Sequence, residues 1–147
     1  MGTTTFSGPV KAGTIREGAS ANAGFALMAQ SAKITFAADG TTTVVARIPA
    51  NSQIFQITVD VTTAFNAGSA NTLDIGDGTT ADKFADALAL GSAARVLATS
   101  DVSQIGNLID IGTSDVAVTT TYNQSGSAAS AGAATVTVLY LQNNNLS

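Results

Sequence analysis

From Phe25 onward, apolar residues recur at alternate positions in short runs separated by Gly, Asn, Asp and Ser, the period of a β-strand with one buried and one wet face. The run Phe55, Ile57, Val59 and Val61, alternating with Gln56, Thr58 and Asp60, predicts a strand with its apolar set turned inward. Val116, Val118, Thr120 and Tyr122 predict another, and Val136, Val138 and Tyr140 a last one. Residues 33–36, the turn Ala38-Asp39-Gly40 and residues 42–48 predict a hairpin. Its Asp-Gly pair supplies positive φ, and Val44, Ala46 and Ile48 share a face. Shorter candidates lie at 71–75, 95–98 and 105–111. About eight strands at this spacing predict an all-β fold, a single antiparallel β-sandwich of jelly-roll type.

Three stretches depart from the alternation. Residues 80–90 fit a short helix, with Thr80 as cap, Phe84, Ala87 and Leu88 on one face and Gly91 as stop, while Phe84, Asp86 and Leu88 also fit an extended segment. Residues 124–133 are Ser, Gly and Ala with a leading Gln, a low-complexity loop before the last strand. Residues 1–24 are rich in Gly, Ala, Ser and Thr and sustain no pattern able to bury a face. They are expected to form an extended N-terminal arm that orders only against another surface, with the β domain occupying 25–147.

Composition sharpens this picture mainly by exclusion. The chain of 147 residues has no Cys, His or Trp, which removes disulfide scaffolds, zinc ribbons, thiol and imidazole catalysis and haem ligation by His or Cys. Charged residues make up 11%, so a surface of Ala, Thr, Gly and Ser would be weakly charged and prone to association, and a homo-oligomer is expected. A net charge of −4 without a basic patch argues against nucleic-acid binding. The distribution is uneven. Lys11, Arg16, Lys33 and Arg47 outnumber Glu17 and Asp39 early in the chain, and aspartates dominate the remainder. No apolar run approaches a membrane span, and residues 1–6 lack a basic start followed by an apolar stretch, so neither membrane insertion nor export by a leader is expected.

Candidate chemistry is sparse. Ser and Thr are plentiful, but no His and no suitable Lys motif accompanies them as an activating base. Asp74, Asp77, Asp82 and Asp86 lie close enough in sequence for an acid–base carboxylate pair, yet the aromatic platform of a sugar cleft is missing. The segment from Asp74 to Asp82 offers oxygens to a hard cation, but its spacing is not that of an EF-hand. A Gly76-Asp77-Gly78 turn whose side chains bond their own backbone explains the composition without metal. No catalytic, cofactor-binding or metal residue is therefore assigned. Phe25, Phe36, Phe55, Phe65 and Phe84 are expected in the core. Phe6 sits in a polar arm with nothing local to pack on, which makes it the candidate anchor for a partner's pocket.

Two segments carry a resemblance. Thr5-Phe6-Ser7-Gly8-Pro9-Val10-Lys11-Ala12-Gly13 and Asn71-Thr72-Leu73-Asp74-Ile75-Gly76-Asp77-Gly78-Thr79 resemble the head decoration, or cement, proteins of tailed bacteriophages. The resemblance implies a non-enzymatic virion structural protein on the outer surface of the capsid, assembled in the host cytoplasm. It implies a trimer at three-fold or quasi-three-fold sites bridging major capsid protein subunits, without cofactor. It also implies a capsid-binding arm that presents Phe6, Pro9, Val10, Lys11 and Arg16. A tail, connector or fibre component and an oligomeric ligand-binding β-sandwich fit the same composition.

Overall fold

The computed structural model describes residues 25–98 and 111–143. Eight strands carry the regular structure there: β1 (Phe25–Thr35), β2 (Thr42–Ile48), β3 (Gln53–Thr63), β4 (Ala70–Gly76), β5 (Ala85–Ala89), β6 (Arg95–Leu97), β7 (Val116–Ser125) and β8 (Ala133–Asn143). One 3-10 turn, Phe36–Ala38, follows β1. The strands form two four-stranded sheets, a first in the order β1-β8-β3-β6 and a second in the order β2-β7-β4-β5. Every pairing is antiparallel. Among successive strands only β4 and β5 are neighbours, and at each of the other six connections the chain crosses between sheets.

Period two places the core between them. Ile57, Val59 and Val61 of β3 and Val136, Val138 and Tyr140 of β8 supply one wall. Leu73 and Ile75 of β4, Val118 and Tyr122 of β7 and Phe84 supply the other, and all belong to one cluster. Phe65 and Tyr122 meet with ring centroids 4.7 Å apart and planes tilted by 53°, a geometry that suits two ring quadrupoles.

The expected hairpin at Asp39-Gly40 does not form. Gly40 takes φ of 65°, as anticipated, but β1 pairs with β8 along its whole length and β2 pairs with β7. The turn is fastened to β7 instead: Gly40 N–H donates to the Tyr122 carbonyl, and the Asp39 carboxylate accepts from Gln124 N–H and Nε2. The edges of β1 and β2 meet through one side chain. Gln30 Oε1 accepts from Arg47 N–H and Gln30 Nε2 donates to the Arg47 carbonyl, so the amide acts as a local strand partner.

Two bulges correct the inward faces. Pairing of β2 slips between Val44 and Ala46, which buries Val45 with Ala46 and leaves Val44 exposed. Pairing of β3 slips between Ile54 and Gln56, which buries Ile54 and turns Phe55 outward at 61% exposure. One extra residue inverts the assignment of everything before it. The predicted core place of Phe55 is thereby overturned, while Phe65 and Phe84 are buried and Phe36 packs half-buried against the core.

Residues 80–90 form no helix: 80–84 make turns and bends, and Ala85–Ala89 is β5. Asp74 Oδ1 accepts from Ala87 N–H, and Ala87 adopts φ of 51° where the β4–β5 register is irregular, so a bulge occupies the place of the expected helical face. The candidate strand at 105–111 lies outside the described residues except for Ile111, which packs against the core outside any strand.

Candidate interaction surface

The acidic segment is the first place to look for chemistry, and two of its four carboxylates, Asp74 and Asp77, are occupied by the chain's own donors. Asp77 Oδ1 accepts from Thr79 and Thr80 N–H at 2.9 and 2.8 Å, and Asp77 Oδ2 from Lys83 Nζ at 2.7 Å. The Lys83 ammonium chiefly holds the Asp77 carboxyl down at about 2, against the opposing effect of burial and with help from the two backbone N–H groups. Asp74 accepts from Ala87 N–H and from Asn123 Nδ2. The loop folds onto the second sheet, where Gly78 N–H donates to Thr119 Oγ1. This is the self-bonded turn expected from the sequence. Among the described residues no group of three or more Asp or Glu gathers as a cation site.

The sandwich end carrying the 3-10 turn and the β3–β4, β5–β6 and β7–β8 loops is also closed by its own polar groups. Asn66 Oδ1 accepts from Ser130 and Ala131 N–H, and Asn66 Nδ2 donates to Ser130 Oγ. Asn71 Oδ1 accepts from Ala67 N–H and from the Tyr122 hydroxyl, and Asn71 Nδ2 donates to the Ala67 carbonyl. Burial, with the Asp39 carboxylate adding to it, pushes the Tyr122 hydroxyl up. Gly132 lies against the Phe65 ring, where a Cβ would stand 2.5 Å from ring carbons. The low-complexity loop is thus pinned at both ends of its path, which sequence reasoning did not anticipate. The signal was the Asn and Gln residues beside it, whose amides can satisfy two backbone groups at once.

The opposite end differs. On the outer face of the first sheet the register aligns Leu27, Leu141 and Gln53 in one row and Ala29, Leu139 and Gln56 in the next, with Phe55 extruded beside them. Ser31, Thr137, Thr58 and Leu97 form the third row, and Lys33, Thr135, Asp60 and Arg95 the fourth. The face therefore runs from apolar through hydroxyl to charged. Leu27 is 59% exposed, and Leu139 and Leu141 are half-buried. Ser31 and Thr137 share a hydrogen bond of 2.9 Å, and Arg95 grips Asp60 through Nε and Nη2, which raises the guanidinium pKa. Among the described residues, four of the five large exposed apolar side chains, Leu27, Met28, Phe55 and Leu97, belong to this sheet, and Val44 is the fifth. Phe6, Pro9, Val10, Lys11 and Arg16, the arm residues singled out in the sequence, lie outside the described residues.

No protein-family model matches the chain, and no curated protein does. Solved structures share its fold. A chain in the capsid asymmetric unit of cyanophage Pam1 superposes with a TM-score of 0.53 at 16% identity, over 89% of this chain and 94% of that one. A chain in the acidic stable capsid structure of Helicobacter pylori bacteriophage KHP30 superposes with a TM-score of 0.52 at 16% identity, over 79% of this chain and 87% of that one. What these likenesses define is an all-β fold of two antiparallel four-stranded sheets, held in common with chains of two phage capsid structures.

Proposed function

We propose that this chain is a non-enzymatic structural protein of a phage virion that coats the outside of the capsid and bridges major capsid protein subunits, as a trimer at three-fold or quasi-three-fold positions. The observation that carries the reading is the fold shared over nearly the full length of a chain in the Pam1 capsid asymmetric unit. The jelly-roll assignment is supported by the strand order, in which the first and last strands are neighbours and the chain passes repeatedly between two four-stranded sheets. A role without catalysis is supported by Asp74 and Asp77, whose oxygens are taken by donors of the fold itself. Coating a shell needs many modest contacts multiplied by symmetry, which suits a chain with few charges. In this reading residues 1–24 form the arm, and Phe6, Pro9, Val10, Lys11 and Arg16 engage the shell.

The test is the solution mass of the protein, followed by sedimentation with shells of the cognate major capsid protein that lack it. A trimer that saturates the shells, and loses occupancy when residues 2–17 are deleted, is the expected result. A protein that stays in the supernatant beside intact shells contradicts the reading.

A further inference from the structure

We infer that the apolar end of the outer face of the first sheet, built from Leu27, Phe55, Leu139 and Leu141, is laid against the shell and fits an apolar, uncharged protein surface. The inference rests on the proposed capsid role and adds to it the surface that makes the contact. Leu27 and Leu141 are directly opposed, and Leu139 and Phe55 flank them across the next row. The first two rows contain no charged residue. Lys33, Asp60 and Arg95 enter only at the fourth, where Asp60 and Arg95 already satisfy one another. An apolar partner surface loses no charge hydration at the first two rows, whereas a charged one would be stripped of water with no counter-charge to meet.

The exposure of Phe55 has a specific cause. Unbroken alternation along β3 would turn Phe55 inward with Ile57, and the bulge between Ile54 and Gln56 turns it out. Bulges commonly re-aim a side chain toward a task, and a ring on a strand whose backbone is already paired with β8 orders little new chain when a partner covers it.

Chain connectivity supplies the link to the shell. The 24 residues that precede Phe25 join β1 two positions from Leu27, and Phe25 is paired with Asn143 at the same end of the sheet. A segment of that length spans at most about 80 Å. A partner that holds any part of it therefore meets the apolar rows at a high effective concentration. Among the described residues at the opposite end, the amides of Asn66, Asn71 and Gln124 are already engaged by backbone N–H groups, Ser130 and Asp39.

The experiment compares the full chain with Leu27→Glu and Phe55→Glu, and with Phe55→Ser as the milder change, in shell co-sedimentation, solution mass and thermal melting. The expected outcome is a loss of shell affinity of about tenfold or more for each glutamate variant, with unchanged mass and melting temperature. Shell binding equal to that of the unmodified chain overturns the inference and leaves the capsid role standing. A fall in solution mass overturns it too, because the face then lies between copies. Failure of the unmodified chain to bind shells removes the capsid role itself, and the inference with it.

Discussion

Replacing Asn71 by alanine removes the hinge on which the closed end of the sandwich turns. Its side chain holds three bonds: Ala67 N–H to Oδ1 at 2.9 Å, the Tyr122 hydroxyl to Oδ1 at 2.7 Å, and Nδ2 to the Ala67 carbonyl at 3.2 Å. Tyr122 is 1% exposed, and its remaining neighbour, Gln124 Oε1, stands at 3.5 Å. Net contributions near 1 kcal/mol for each of the three bonds, with a further penalty of about 1 kcal/mol for a buried hydroxyl left without an acceptor, put Asn71→Ala at about 4 kcal/mol. Tyr122→Phe removes the hydroxyl and one bond, for about 1 kcal/mol. In the double variant the orphaned hydroxyl is gone, so its loss of stability falls below the sum of the two by about 1 to 2 kcal/mol. Urea unfolding of all four proteins at one concentration measures this coupling. Additivity within about 0.3 kcal/mol would refute the reasoning, because the hydroxyl would then be satisfied without Asn71.

Three further outcomes follow from the same structure. Gly132→Ala meets the Phe65 ring at 2.5 Å from a backbone with φ of 151°, so a loss of about 3 kcal/mol or failure to fold is expected, read by the yield of folded protein and its melting temperature. Asp77 is held at about 2 when folded, against 3.8 as its ordinary value, so between those values the unfolded chain binds the extra proton and stability falls as pH falls. Asp77→Asn, which keeps an acceptor for Thr79 and Thr80, is expected to flatten the melting temperature's dependence on pH between about 4 and 2; an unchanged slope would count against the Lys83 contact. Gln30→Leu deletes both bonds to Arg47 and a bond to the Tyr140 hydroxyl, and is expected to lower stability by about 1 to 2 kcal/mol in thermal or urea melts.

What the chain made legible was periodicity. The alternations at 57–61, 116–122 and 136–140 became the central strands because a buried face demands apolar side chains at every second position. What it concealed were single-residue insertions and tertiary partners. Phe55 and Val44 sit beside bulges, which leave no mark in a pattern of apolar and polar residues, so plain alternation assigns each to the wrong face. Asp39-Gly40 has the local chemistry of a hairpin turn. Its use as a crossover depends on Gln124, which lies 85 positions away. Residues 80–90 suited helix and strand alike, and bonding of Ala87 to Asp74 on β4 decided between them. The apolar rows of the first sheet were invisible for a related reason: Leu27, Leu139 and Leu141 become neighbours only once the first and last strands pair.

The most direct test of the account is an electron cryo-microscopy reconstruction of cognate shells saturated with the protein. The expected density is a two-sheet body at three-fold or quasi-three-fold positions on the outer surface, with Leu27, Phe55 and Leu141 turned toward the shell and residues 1–24 followed across it. Bare three-fold positions on shells carrying no other density, or density confined to the tail, would contradict it.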